Sequence, residues 1–108
     1  MSEPRPNPFD LSGKTAVVTG GNRGIGLGLA RGLAKAGAQV SIWARNAESS
    51  AAAAASLAGL GGEIQTVECD VSSPEAVAAA TEQTLDRFGR IDAGFANAGF
   101  GEAADPLK

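Results

Sequence analysis

The stretch Thr15-Ala-Val-Val-Thr-Gly-Gly-Asn-Arg-Gly-Ile-Gly26 decides the fold of this chain. Its first five residues form a short apolar run, which is typical of a buried β-strand. A glycine-rich turn follows at once, and residues 24–36 then repeat apolar side chains at helical spacing. The stretch therefore predicts a strand, a tight turn and a helix that begins at Gly24.

The same alternation continues along the chain. Further strands are predicted at residues 39–43, 64–69 and 91–96. Helices are predicted at residues 24–36, from residue 46 or 47 to 60, and at 74–88. Because a helix separates each pair of successive strands, the strands should be parallel with right-handed crossovers. The predicted fold class is α/β, in the order β-α-β-α-β-α-β.

One face of the first helix should pack on the sheet. Its apolar residues at helical spacing are Ile25, Leu29, Leu33 and Ala36. Gly26 and Gly28 should also allow the helix to approach the strand closely.

Composition excludes several classes of function. The 108 residues form one domain at most, and a formal net charge of -3 disfavours nucleic acid or an anionic membrane as partner. The chain has no His, the commonest metal ligand, and a single Cys, so we expect no metal site and no internal disulfide. No apolar run is long enough for a membrane span, and residues 1–8 do not resemble a signal peptide. With the lone Cys69, these features predict a cytoplasmic protein.

The glycine turn has a specific chemical use. A helix N-terminus offers unpaired N–H groups and a partial positive charge, both of which suit a pyrophosphate. The glycines are spaced G-x-x-x-G-x-G, at Gly20, Gly24 and Gly26, and not in the usual G-x-G-x-x-G pattern. A tight turn without a ligand is the alternative, but the position between the first strand and the first helix favours dinucleotide binding.

Three motifs in order carry a family resemblance. Thr19-Gly-Gly-Asn-Arg-Gly-Ile-Gly26 resembles the T-G-x-x-x-G-x-G motif of the classical short-chain dehydrogenases/reductases. Cys69-Asp70-Val71 is similar to the D-V pair of this family. Ala96-Asn97-Ala98-Gly99 is similar to its N-N-A-G motif, with Ala96 in place of the first Asn. The resemblance extends over residues 11–99.

The resemblance implies a partial Rossmann fold, a three-layer sandwich with parallel strand order 3-2-1-4. It also implies a cofactor site. The residues of the turn expected to border the cofactor are Gly20, Asn22, Arg23, Gly24, Ile25 and Gly26. Asp70, next to Val71, would contact the adenine. Asn97 would support the sheet, and the backbone of Ala98 and Gly99 would lie beside the ribose. The alternatives are a turn carboxylate for Asp70 and a simple strand-end turn for residues 97–99.

Charge at the end of the second strand favours NADP over NAD. An NAD site usually places an acidic residue about 20 residues beyond the glycines, but this chain has Ala44 followed by Arg45. An arginine there would bind a 2′-phosphate, which a carboxylate would repel. Arg23 can reach the same region, and the resemblance implies the same preference. Two solvated surface arginines are the alternative.

The resemblance also shows what this chain lacks. The hydride transfer of the family uses a Tyr, a Lys four residues later, a Ser and a further Asn. The chain contains no Tyr, and Lys108 lies in no Y-x-x-x-K context, so we expect no catalytic residue in it and no activity of the chain alone.

The predicted function is therefore the cofactor-binding part of an NADP(H)-dependent oxidoreductase that interconverts a small-molecule carbonyl and an alcohol. The full-length protein is expected to be a homo-oligomer, a dimer or tetramer. The predicted organisation is a mobile, proline-rich arm at residues 1–10, a cofactor-binding half-domain at 11–99, and the start of a second half at 100–108. A stand-alone, non-catalytic nucleotide-binding module or pseudoenzyme is the alternative.

Overall fold

A computed structural model describes residues 10–20 and 22–96. Strands and helices alternate along this part of the chain, as predicted. The strands are β1 Thr15–Thr19, β2 Gln39–Ala44, β3 Ile64–Glu68 and β4 Ala93–Ala96. The helices are α1 Gly24–Lys35, α2 Ala47–Leu57 and α3 Pro74–Phe88. The predicted arm lies outside the described residues except for Asp10, and residues 97–108 lie outside them as well.

The strands form one parallel sheet in the order β3-β2-β1-β4. In register, Val18 of β1 lies between Ile42 of β2 and Phe95 of β4. All strand carboxyl ends therefore meet at one edge of the sheet. This arrangement confirms the predicted α/β class and the strand order 3-2-1-4.

Helices cover both faces of the sheet, which gives three layers. On one face, Val18, Val40 and Ile42 pack with residues of α1 and α2. On the other face, Val17, Trp43 and Val67 pack with Ala80 of α3. Because successive side chains of a strand point to opposite faces, β1 and β2 contribute to both apolar cores.

The face of α1 that packs on the sheet differs from the prediction. Its buried residues are Gly26, Ala30 and Ala34, whereas Ile25 is 84% exposed. Leu29 and Leu33 are only partly buried at the border of the core. Gly28 is exposed, so of the two glycines only Gly26 lies in the packing face. A row of small residues four positions apart lets the helix axis come close to the sheet, and the larger leucines then lie beside it.

Two element boundaries differ from the prediction by more than one residue, for local reasons. α2 ends at Leu57 because Ala58 is extended and Gly59 has a φ of +83°. β4 begins at Ala93, since the Asp92 carboxylate takes up the N–H of Thr15 at 2.8 Å where a strand carbonyl would otherwise accept it. Asp92 still pairs with β1, because its own N–H donates to the carbonyl oxygen of Thr15 at 2.8 Å.

A buried group of hydrogen bonds fixes the end of β2. The indole N–H of Trp43 donates to the Ser41 hydroxyl at 3.0 Å and to the Thr84 hydroxyl of α3 at 3.3 Å. The Ser41 hydroxyl donates to Oε1 of Gln65 at 2.7 Å. Buried polar networks of this kind hold their members in one orientation. Here they tie β2 to β3 and α3.

Candidate functional site

The glycine turn after β1 depends on glycine at two places. Gly20 has a φ of +69° and Gly24 a φ of +61°, in the left-handed region that side chains disfavour. The N–H of Gly20 donates to the carbonyl oxygen of Trp43 at 2.8 Å. The turn therefore starts directly beside β2. Between the two glycines, Asn22 is half-buried and Arg23 is exposed.

The N-terminus of α1 is open toward this turn. Arg23 stands at the N-cap position in an extended conformation, and its side chain makes no capping hydrogen bond. The first turn of the helix contains no acidic residue, so no carboxylate in it offsets the partial positive charge of the helix N-terminus. A Cβ placed on Gly24 would meet no other described atom within 4 Å. The first-turn N–H groups, the open space and the missing carboxylate fit a pyrophosphate.

The ends of β2 and β3 lie side by side next to this turn. The N–H of Cys69 donates to the carbonyl oxygen of Ala44 at 3.0 Å, and Arg45 and Asp70 follow directly. Both of these charged residues are exposed. Two hydrogen bonds from Ser72, and to a smaller extent the charge of Arg45, lower the pKa of the Asp70 carboxyl. The two strand ends thus place opposite charges near each other.

Asp70 is held in a tight turn. Its Oδ1 accepts hydrogen bonds from the backbone N–H of Ser72 at 2.9 Å and from the Ser72 hydroxyl at 2.6 Å. These hydrogen bonds are those of a turn carboxylate, and Asp70 stays exposed beside Val71, which is 41% exposed. The sequence prediction did not include Ser72, although Asp is a typical turn residue whose side chain accepts from the backbone two residues on.

The described candidates meet at one edge of the sheet. They are Gly20, Asn22, Arg23, Gly24, Ile25 and Gly26 in the turn, Arg45 after β2, and Asp70 and Val71 after β3. The remaining candidates, Asn97, Ala98 and Gly99, lie outside the described residues and follow directly on the last residue of β4.

The Cys69 thiol, possible metal ligands and possible membrane spans also bear on what the described part of the chain can do. Burial, with a smaller effect of the Asp70 charge, raises the pKa of the Cys69 thiol, which makes this cysteine a poor nucleophile. Among residues 10–20 and 22–96, no three His, Cys, Asp or Glu side chains lie close enough together to hold a metal ion. No helix among them has the length and apolar character that crossing a membrane requires.

A protein-family model matches the sequence over most of its length. The model describes the short-chain dehydrogenases and aligns with residues 14–108. This chain belongs to the short-chain dehydrogenase family. The matched residues include all three motifs recognised in the sequence.

Named relatives agree with this assignment. A 3-oxoacyl-(acyl-carrier-protein) reductase from Chlamydia pneumoniae is 44% identical over 89 residues, which cover 82% of this chain and 36% of the reductase. A short-chain type dehydrogenase/reductase structure from Mycobacterium marinum has a TM-score of 0.76 at 41% identity, covering 80% of this chain and 35% of that one.

A metagenomic short-chain oxidoreductase, solved in complex with NADP, has a TM-score of 0.74 at 41% identity. The match covers 79% of this short-chain dehydrogenase chain and 38% of the metagenomic protein. The chain thus spans little more than a third of the length of the relatives it matches.

Proposed function

We propose that this chain is the cofactor-binding part of an NADP(H)-dependent oxidoreductase that interconverts a small-molecule carbonyl and an alcohol. The observation that carries the proposal is the open glycine turn at the N-terminus of α1 with Arg45 at the neighbouring strand end. One dinucleotide reaches both positions if its pyrophosphate lies at the turn and its adenosine ribose beside β2.

The choice of NADP over NAD rests on charge. Ala44, at the end of β2, has no carboxylate to repel a 2′-phosphate or to bind a 2′-hydroxyl. Arg45 is exposed at the same edge and offers a guanidinium that binds phosphate through charge-assisted hydrogen bonds. The relative solved with NADP, at 41% identity, supports the same choice.

The chain's own residues in this proposal bind and orient the cofactor. The turn would hold the pyrophosphate, Arg23 and Arg45 the 2′-phosphate, and Asp70 the adenine. Asn97, Ala98 and Gly99 would border the ribose. A bound nicotinamide cofactor supplies the hydride chemistry.

The 108 residues contain no Tyr, so we propose that the proton donor for the carbonyl is not part of this chain and that the chain alone is inactive. We also propose that the full-length protein acts on a small-molecule substrate, forms a homo-oligomer and is located in the cytoplasm. In the same proposal, residues 1–10 form an arm, residues 11–99 the cofactor-binding half-domain, and residues 100–108 the start of the second half.

Calorimetric titration with NADP and NAD tests the cofactor assignment. We expect NADP to bind at least about tenfold more tightly, since one charge-assisted hydrogen bond contributes about 1.5–3 kcal/mol. Equal affinities, or tighter binding of NAD, would contradict the proposed 2′-phosphate site.

A non-catalytic nucleotide-binding module is the second candidate, because no Tyr is present. The intact mass of the purified protein separates the two candidates. A mass near 10.7 kDa supports the module, and a much larger mass supports the oxidoreductase. Carbonyl reduction by a verified 108-residue chain would overturn the proposed inactivity.

A further inference from the structure

Arg45 and Asp70 carry opposite charges at neighbouring strand ends. Ala44 of β2 pairs with Glu68 of β3, and the N–H of Cys69 reaches the carbonyl oxygen of Ala44 at 3.0 Å. Arg45 follows Ala44 directly in the chain, and Asp70 follows Cys69. Whatever binds Arg45 from the open edge of the sheet therefore also comes near the Asp70 carboxylate.

The carboxylate of Asp70 is fixed in position and in charge. Ser72 donates to Oδ1 through both its backbone N–H and its hydroxyl, at 2.9 and 2.6 Å. The N–H of Ser73 donates to the carbonyl oxygen of Asp70 at 2.9 Å, which closes the turn. Because these bonds favour the ionised form, Asp70 is negatively charged at neutral pH.

This negative charge acts differently on the two cofactors. NADP carries a 2′-phosphate, whereas NAD carries a neutral hydroxyl at the same position. A carboxylate near Arg45 repels the phosphate and also competes with it for the positive charge of the Arg45 guanidinium. We propose that Asp70 is a specificity-determining residue whose carboxylate opposes the 2′-phosphate at Arg45 and so moderates the preference for NADP. The inference rests on the proposed function.

The substitution Asp70→Asn tests this inference. Asn keeps a side-chain oxygen for the two Ser72 hydrogen bonds but removes the charge. The quantity to measure is the Kd for NAD divided by the Kd for NADP, in which any adenine contact shared by both cofactors cancels. We expect this ratio to rise by about 2- to 5-fold at low salt, the range for two exposed charges several ångströms apart. At about 1 M salt the rise should disappear, because the Debye length falls to about 3 Å.

Two further variants show whether the effect is local and acts through Arg45. Asp86→Asn makes the same change of charge near the C-terminus of α3. This end of the helix lies at the amino ends of the strands, away from Arg45, so the ratio should stay unchanged. In an Arg45→Gln background, Asp70→Asn should change the ratio less than it does in the wild type.

The outcomes separate this inference from the proposed function. If the wild type prefers NADP and Asp70→Asn leaves the ratio unchanged or lowers it, the inference alone is wrong. An equal rise in Asp86→Asn also overturns it, because the effect is then one of net charge. If the wild type binds NAD as tightly as NADP, the proposed function and this inference both fail.

Discussion

The N–H of Gly20 donates a 2.8 Å hydrogen bond to the carbonyl oxygen of Trp43. This bond joins the first residue of the glycine turn to β2, two positions before Arg45. On the face of the sheet covered by α3, the Trp43 indole is held by its hydrogen bonds to the hydroxyls of Ser41 and Thr84. The turn and the end of β2 therefore keep a fixed spacing, which preorganises two contact points for one ligand.

Replacing Arg45 by Asp should weaken NADP binding far more than NAD binding. The change removes charge-assisted hydrogen bonds worth about 1.5–3 kcal/mol and adds repulsion, so NADP affinity should fall roughly 10- to 100-fold. Titration of both cofactors measures the effect. Arg31→Asp, an equal change of charge at an exposed position of α1, is the control and should leave the Kd ratio as it is. An unchanged ratio in Arg45→Asp would refute the assigned role.

Replacing Gly24 by Ala should lower the affinity for NADP and NAD alike. The φ of +61° strains any side chain by about 1–2 kcal/mol, and the added methyl group would enter the open space beside the turn. We expect a loss of affinity of at least about tenfold by titration. Gly13→Ala is a matched control, because Gly13 has a φ of +84° and equally open surroundings but precedes β1. If both variants lose stability and only Gly24→Ala loses affinity, the phosphate contact is supported; equal affinities for the two would count against it.

Replacing Gly62 by Ala should destabilise the protein strongly. A Cβ at this position would lie 1.6 Å from the carbonyl oxygen of Ala38, so the backbone between α2 and β3 would have to move. We expect the free energy of unfolding to fall by about 3 kcal/mol in urea denaturation. Gly32→Ala lies in the interior of α1, where the new Cβ would have no described atom within 4 Å apart from its chain neighbours and the backbone of its own helix. This change should instead raise the free energy of unfolding by about 0.5–1 kcal/mol. If Gly62→Ala and Gly32→Ala lowered the free energy of unfolding equally, the close contact with Ala38 would not be the cause of the loss at Gly62.

Asp92 should make stability depend on pH. Its carboxylate accepts two hydrogen bonds from Arg90, at 2.9 and 2.6 Å, and one from the N–H of Thr15. These bonds, those of Arg90 most, hold the pKa of Asp92 below its ordinary value of 3.8. A lowered pKa in the folded state stabilises the protein above the unfolded pKa, and this contribution is lost as the pH falls through the folded pKa.

The measurement compares the wild type with Asp92→Asn by urea unfolding over a pH series. Asp10 and Asp70 also have lowered pKa values and titrate in both proteins, so the difference in unfolding free energy isolates Asp92. This difference should stay constant between about pH 5 and 8 and shrink below the ordinary pKa of 3.8. A difference that persists without change to about pH 2 would disprove the assignment.

Much of the fold was predictable because its signals are local. Glycine stops, the Ser73-Pro74 helix start and short apolar runs located every element of the described part to within a few residues, and strand order followed from the family motifs. The buried face of α1 was not predictable in the same way. Ala30 and Ala34 carry a weaker hydrophobic signal than the leucines beside them, and only the sheet makes small residues the better choice.

The candidate site shows the same division. The glycine turn and the arginine after β2 could be read from spacing and charge. The proximity of Arg45 to Asp70 could not, because it depends on the register in which β2 and β3 pair. The dual role of Asp92, whose side chain replaces a strand carbonyl, likewise depends on its position opposite Thr15.

Because α1 packs closely on the sheet, a change at one end of the helix moves the whole helix as a rigid body. Ala34 lies about 15 Å along the axis from Gly24, at 1.5 Å per residue, and is fully buried. A larger side chain there would tilt the whole helix and displace its first-turn N–H groups by a distance that matters for anion binding. Cofactor affinity in this protein should therefore report on interior packing far from the ligand, and screens for weakened binding should recover substitutions that never touch it.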